Sequence, residues 1–196
     1  MTSTCTRIAA GLAAFAAAVT LSACSGGADH AGHSSSAAST TEEVAAHSDD
    51  DVMFAQMMIP HHEQAVKLAA MVPDRSTNPA VTQLAATISG EQQPEITAMQ
   101  ALLLQWDVDP HTMPDHGGMS MPGMVDDATM ARLGSLKGQE FDTLWLQSMI
   151  SHHQGAIEMA NTEIAKGRSA DMISMAKSIV TAQQAEIDQM KKMLGG

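Results

Sequence analysis

The chain has 196 residues and a formal charge of −12, an acidity that argues against nucleic acid or an anionic membrane surface as a partner. Seventeen residues are methionine, none is tyrosine and only two are cysteine, so soft donor atoms come mainly as thioethers. A mature length of roughly 170 residues suits one domain with one substantial core.

At the N-terminus, Arg7 precedes an Ala-rich apolar run that ends in Leu21-Ser22-Ala23-Cys24. This lipobox resembles the signal of bacterial lipoproteins, in which the residue matching Cys24 is lipidated and becomes the new N-terminus. Residues 1–24 are therefore expected to be a signal peptide. The working domain is expected to be exported and lipid-anchored to the cell membrane, on its extracytoplasmic face or in a periplasm. An uncleaved anchor is the rival reading, although the apolar stretch is short and rich in small residues for a spanning helix. Cys5 falls in the discarded segment and Cys24 carries the lipid, so the mature domain has no thiol and no disulfide. A thioether suits an oxidising compartment, because disulfide formation does not consume it and it still favours soft ions such as Cu(I). The plain alternative is that methionine fills an adaptable helical core.

Residues 25–47 are rich in Ser, Ala, Thr and Gly, include His30, His33 and His47, and read as a flexible tether. The domain proper is expected over residues 48–196. Ser48-Asp49-Asp50-Asp51 supplies cap candidates and acidic first-turn residues for a helix running to about Val72. Pro73 to Pro79 is a turn, with Asn78 as N-cap and Pro79 at the first position of a second helix that reaches about Trp106. Residues 107–125 are broken by Pro and Gly and cannot continue either helix. Asp126 caps a short helix ending near Gly134. A third long helix spans about Gln139 to Ala165, and Ser169 opens a fourth that runs to about Leu194. Pro60 and Pro94 fall inside predicted helices, where each should kink the helix or start a new segment. No window alternates with period two, so no sheet is expected.

One pattern occurs twice, 91 residues apart, the spacing of Asp51 from Asp142. The first copy carries Asp51, Phe54, Met58, His61, His62 and Ala65, and the second Asp142, Trp145, Met149, His152, His153 and Ala156. The register continues through Ile88, Gln92, Glu95, Ile96 and Met99, which recur as Ile179, Gln183, Glu186, Ile187 and Met190. The repeat is thus a whole helical hairpin, at about residues 48–106 and again at 139–194. Two such hairpins predict an all-α fold, an antiparallel four-helix bundle with an internal pseudo-twofold. At about 100 degrees per residue the repeated positions share a face with Phe54, Ile88 and several alanines, so the histidines, Gln92 and Glu95 should point inward. Buried polar groups need partners.

Two accounts supply those partners. In one, His61 or His62 bonds to Glu95 or Gln92, the second half does the same, and no metal is involved. In the other, imidazole and thioether hold a metal near the pseudo-twofold. His61, His62, His152 and His153 are then the main ligands, with Met58 and Met149 beside them and Asp51, Glu95, Met99, Asp142, Glu186 and Met190 as further candidates. The residue three before histidine discriminates between metals. A carboxylate-bridged di-iron bundle uses Glu-x-x-His on two helices, whereas Met58 stands three before His61 and Met149 three before His152. A thioether there disfavours ferric iron and favours Cu(I) or Ag(I). Between the hairpins, His111, Met113, His116, Met119, Met121 and Met124 crowd a Gly/Pro loop with few core aliphatics, a composition suited to soft-metal capture or to an adaptable cover over the bundle end. No nucleophile elbow, phosphate loop or closed Cys/His zinc pattern is present, so other enzyme classes have no motif to stand on.

Met58-Ile-Pro-His-His-Glu-Gln-Ala65 and Met149-Ile-Ser-His-His-Gln-Gly-Ala156, the latter within the stretch Phe141 to Ala160, resemble the bacterial family known as domain of unknown function 305. The resemblance covers about residues 48–194. It implies export and a ferritin-like helical bundle and, through a branch of CopM-like periplasmic proteins linked to copper resistance, copper binding. The expectation is a lipid-anchored, non-enzymatic Cu(I)/Ag(I)-binding protein that buffers the metal or hands it to a partner protein. The enzymatic alternative is a ferritin-like di-iron or di-manganese redox enzyme using Asp51, Glu95, Asp142 and Glu186 with the histidines. The structural alternative is a metal-free surface interaction module.

Overall fold

The computed structural model describes residues 46–112 and 121–195. These form five helices, α1 (Asp49–Ala70), α2 (Pro79–Gln105), α3 (Asp127–Ser135), α4 (Gly138–Lys166) and α5 (Ala170–Met193), with no strand among the described residues. The ends lie within two residues of the sequence expectation, and side-chain caps mark the starts of α1, α2, α3 and α5. At the start of α1, the Ser48 hydroxyl accepts from the Asp51 amide while the Asp51 carboxylate accepts from the Ser48 amide at 2.6 Å, a reciprocal box. Asn78 and Ser169 stand at equivalent places in the two repeats. They cap α2 and α5, accepting from Ala80 at 3.0 Å and Met172 at 3.3 Å. Asp126 caps α3 through the Thr129 amide at 2.7 Å.

Of the two outcomes expected at the internal prolines, a kink or a new segment, the second does not occur. α1 runs unbroken through Pro60 and α2 through Pro94, so neither starts a new segment. A single missing ladder bond is outweighed by the packing of the turns on either side.

α1 packs along α2 and α4 along α5, giving two hairpins that join chiefly through α1 and α4; α2 and α5 touch sparingly, and α3 lies against α4. Two apolar clusters fill this bundle. One gathers Leu68, Leu84, Ile88, Phe141, Trp145 and Ile187, and the other Phe54, Met58, Ile96, Met159, Met172 and Ile179. The second half of α1 therefore shares a core with the first half of α4, and the first half of α1 with the second half of α4. Each large buried side chain contributes about 1.5–3 kcal/mol. Trp145 adds a buried hydrogen bond from its indole N–H to the Leu68 carbonyl at 2.9 Å, tying α4 to α1. Its counterpart Phe54 has no donor for such a bond.

Between the clusters, at mid-helix on all four long helices, lie His61, His62, Gln92, His152, His153, Gln183 and Glu186, all buried, with Glu95 partly so. The repeat thus places a polar layer across the middle of the bundle. No helix among the described residues is long and apolar enough to cross a membrane.

Candidate metal centre

His61 on α1 and His152 on α4 occupy equivalent repeat positions and meet across the seam between the hairpins. Their ring centroids are 3.7 Å apart, with the planes tilted by 34°. Both side chains are fully buried. His61 Nε2 lies 3.0 Å from the Pro122 carbonyl. A carbonyl only accepts, so Nε2 carries the proton and Nδ1 keeps a bare lone pair. That Nδ1 and both ring nitrogens of His152 are buried without a partner. Burial, followed by the neighbouring His62, holds the His61 pKa down at about 3; burial, followed by His61, holds His152 well below the ordinary range. Both rings are therefore neutral near pH 7, the form in which imidazole binds metal.

The second histidine of each pair turns away from the seam to a carboxylate. His62 Nε2 lies 2.8 Å from Glu95 and His153 Nε2 lies 2.7 Å from Glu186. This is the hydrogen-bonded network of the metal-free account, made with glutamate in both halves. It does not use up the imidazoles, because Nδ1 of His62 and of His153 remains buried and unpartnered. A carboxylate on one ring nitrogen that leaves the other bare is also how proteins orient a ligating histidine. The amides of Gln92 and Gln183 are buried in the same layer with neither end paired.

Met58 and Met149 are fully buried one turn before the histidines, on the same helix faces, and belong to opposite apolar clusters. Met99 and Met190 divide in the same way, one turn after Glu95 and Glu186. Among the described residues no three His, Cys, Asp or Glu side chains converge as a metal-holding group. What the seam brings together is a pair of imidazoles bounded along each helix by thioethers.

Asp51 and Asp142 do not join the histidines. Each precedes its inner histidine by ten residues, about 15 Å along the helix axis. Asp51 instead accepts from the Arg168 amide at 3.0 Å and the Ser169 amide at 2.9 Å, closing the α4–α5 turn from the opposite repeat. Burial raises its pKa, but Ser48, the adjacent Glu163 and these two amides outweigh that and hold it at about 2. Asp142 is half-buried, with Oδ1 unpartnered. Glu163 is 1 % exposed, and burial, then Asp51, push its pKa up to about 8. Because this folded value lies above 4.5, the stability linked to Glu163 is complete below pH 4.5 and is lost as pH rises through about 8. Glu163→Gln is expected to flatten the decline in melting temperature between about pH 5 and 8. Thermal melts across that range check this, and a variant that declines as steeply as the native protein contradicts it.

The family described as Domain of unknown function (DUF305) matches residues 51–194, a span holding both histidine pairs. The chain belongs to DUF305. A DUF305 protein from Streptomyces coelicolor is 33% identical, over 74% of this chain and 91% of that one, with a TM-score of 0.70. A DUF305 fragment from Deinococcus radiodurans is 32% identical, over 76% and 97% of the two chains, with a TM-score of 0.69. CopM in its Cu(I)-bound form is 31% identical, over 73% and 94%, with a TM-score of 0.61, and CopM has also been solved in Cu(II)- and Ag-bound forms. No curated protein matches the chain.

Between the two DUF305 hairpins, Met113, His116 and Met119 lie outside the described residues, as do Cys24 and the tether up to residue 45. His111 is exposed, its amide bonded to Asp109. Met121 and Met124 are half-buried and flank a strap, Pro122-Gly123, laid across the seam. The two repeats hold this strap differently. Gln64 clamps Val125 with two hydrogen bonds, at 2.9 and 2.8 Å. Its counterpart is Gly155, where an added Cβ would lie 2.1 Å from the Pro122 carbonyl oxygen. Gly123, at φ +77°, would in turn drive a Cβ to within 2.5 Å of the Ser151 carbonyl oxygen. The signal for the strap in the sequence was the change from Gln64 to Gly155, two residues after the retained tandem histidine.

Proposed function

We propose that this DUF305 protein is a lipid-anchored, extracytoplasmic binder of Cu(I) or Ag(I) that buffers the metal or hands it to a receiving protein, and that it is not an enzyme. The observation that carries this reading is the His61–His152 contact, two buried neutral imidazoles packed ring against ring across the seam, each with a ring nitrogen that has no partner. Such groups are costly to bury unpaired, and a metal would satisfy them. Cu(I) and Ag(I) accept few ligands, and the thioethers of Met58 and Met149 favour soft ions over iron or manganese. His62 and His153, oriented by Glu95 and Glu186, supply two further imidazoles in the same layer. Similarity to CopM, solved with copper and silver, supports the choice of ion. The lipobox ending at Cys24 supports export and anchoring. We read the bundle as an antiparallel, ferritin-like four-helix arrangement of two repeated hairpins, supported by the way opposite halves of α1 and α4 share their cores.

An anaerobic Cu(I) competition titration tests the proposal, using the full chain with Cys5→Ser and Cys24→Ser so that no thiol competes. Binding is expected whose tightest equivalent is lost when His61, His62, His152 and His153 all become glutamine. Affinity no better than that of an unrelated helical bundle rejects the proposal. Iron or manganese in protein purified without added copper, together with turnover of oxygen or peroxide, would instead support the di-metal enzyme.

A further inference from the structure

Away from the seam, where the first half of α1 meets the second half of α4, a cavity of about 240 Å³ opens to solvent. Its walls include Met53, Met57 and Met159, with Asp50, Glu158 and Glu163 among its polar lining. Met53 and Met57 stand one turn apart on α1 and are half-buried, and Met159 faces them from α4 at 8 % exposure. These thioethers border a solvent-open space, whereas Met58 is sealed in the core.

The repeat supplies an internal control. At the opposite end of the bundle the positions equivalent to Met53, Met57 and Met159 hold Leu144, Ser148 and Leu68. Those equivalent to Asp50, Glu158 and Glu163 hold Phe141, Lys67 and Val72. Leucine therefore meets the packing demand at two of the three methionine positions. Thioethers and acids occur together at one end only, so duplication did not put them there. A second observation points the same way. Glu163, almost wholly buried beside Asp51, lines this cavity, whereas its counterpart Val72 brings no polar atom to the opposite end.

We infer that this cavity is a second soft-cation site, separate from the histidine seam, in which Cu(I) or Ag(I) is held by the thioethers of Met53, Met57 and Met159. Asp50 and Glu158 raise the local concentration of cations at its mouth. Uncharged sulfur then selects soft ions, since it offers little to hard ones. Pro122 lines the same cavity while its carbonyl meets His61, so the site and the seam share the strap as a common wall.

The test is methionine-methyl NMR of the full chain carrying Cys5→Ser and Cys24→Ser, titrated anaerobically with Ag(I) after all four paired histidines have been changed to glutamine. The methyl signals of Met53, Met57 and Met159, assigned by single leucine variants, are expected to shift together and saturate at a single equivalent. Combining Met53→Leu, Met57→Leu and Met159→Leu is expected to weaken that equivalent by about tenfold or more, with circular dichroism melts reporting on the fold. If the histidine-free protein does not fold, the same titration with native histidines gives the answer. Three signals that stay in place while silver binds elsewhere, or a triple leucine variant that keeps the equivalent, would overturn the inference. With the histidines absent, failure of the seam site cannot alter this result, nor can failure here alter that of the seam.

Discussion

Replacing His61 and His152 together by glutamine is expected to weaken Cu(I) binding by about a hundredfold or more while moving the melting temperature by only a few degrees. The two effects separate because of how each ring is held. His152 has no hydrogen bond to lose, and the only one made by His61 is to the Pro122 carbonyl, which a glutamine amide can also reach. Amide nitrogen, however, has no lone pair to offer a metal. The outer pair is expected to behave in the opposite sense. His62→Gln or His153→Gln disturbs the partner of a carboxylate, and Glu186 is buried, so these changes cost about 1–3 kcal/mol of stability. Titration and thermal melting of the inner and outer double variants, run side by side, check the contrast. Inner-pair variants that bind Cu(I) as tightly as the native protein would reduce the polar layer to a packing device. Acid gives a further readout. The inner histidines have folded pKa values below 6.5, about 3 for His61, so the stability linked to them is complete above 6.5 and is lost as pH falls below it. The double glutamine variant is expected to lose this acid sensitivity.

Gly155→Ala is expected to destabilise the protein by about 1–3 kcal/mol, the reverse of what alanine ordinarily does inside a helix. The added Cβ would meet backbone atoms of the strap, at 2.1 Å from the Pro122 oxygen and 2.7 Å from the Gly123 nitrogen, and backbone cannot rotate aside as a side chain can. The strap must lift, and the contact between Pro122 and His61 goes with it. Gly90, also inside a long helix, has nothing within 4 Å of the same added atom. Gly90→Ala is therefore expected to stabilise the protein by about 0.5–1 kcal/mol. Urea unfolding of both variants measures the sign, and hydrogen exchange over residues 121–125 reports the strap. Stabilisation of both variants by similar amounts would mean that the strap does not sit on α4.

Helix ends were legible in the sequence because capping is local: Ser48, Asn78, Asp126 and Ser169 each act on amides two or three residues away. The buried face was legible because the repeat keeps it. Position along the axis was not. Asp51 shares a helical-wheel arc with His61, yet a wheel projects out the axial separation that takes Asp51 to the α4–α5 turn. Spacing also could not say which histidine of each pair faces its partner hairpin, since the packing of α1 on α4 decides it. Glu163 and the methionine-lined cavity escaped for a related reason. The repeat directs attention to what is retained, and these residues stand where the two copies differ. Pro60 and Pro94 were read by their local cost alone, while the packing of neighbouring turns carried the helices through.

The join between the hairpins has a consequence for how the protein responds to its own abundance. Each hairpin owns one inner imidazole, so under the proposed function a lone hairpin would be half a binding site. Two separate molecules would have to surrender their translational freedom to close around an ion, and dilution would weaken them. Fusion in one chain fixes the second half at an effective concentration on the order of millimolar or above. Occupancy would then follow the ion alone, and a scarce copy of the protein would grip it as firmly as an abundant one.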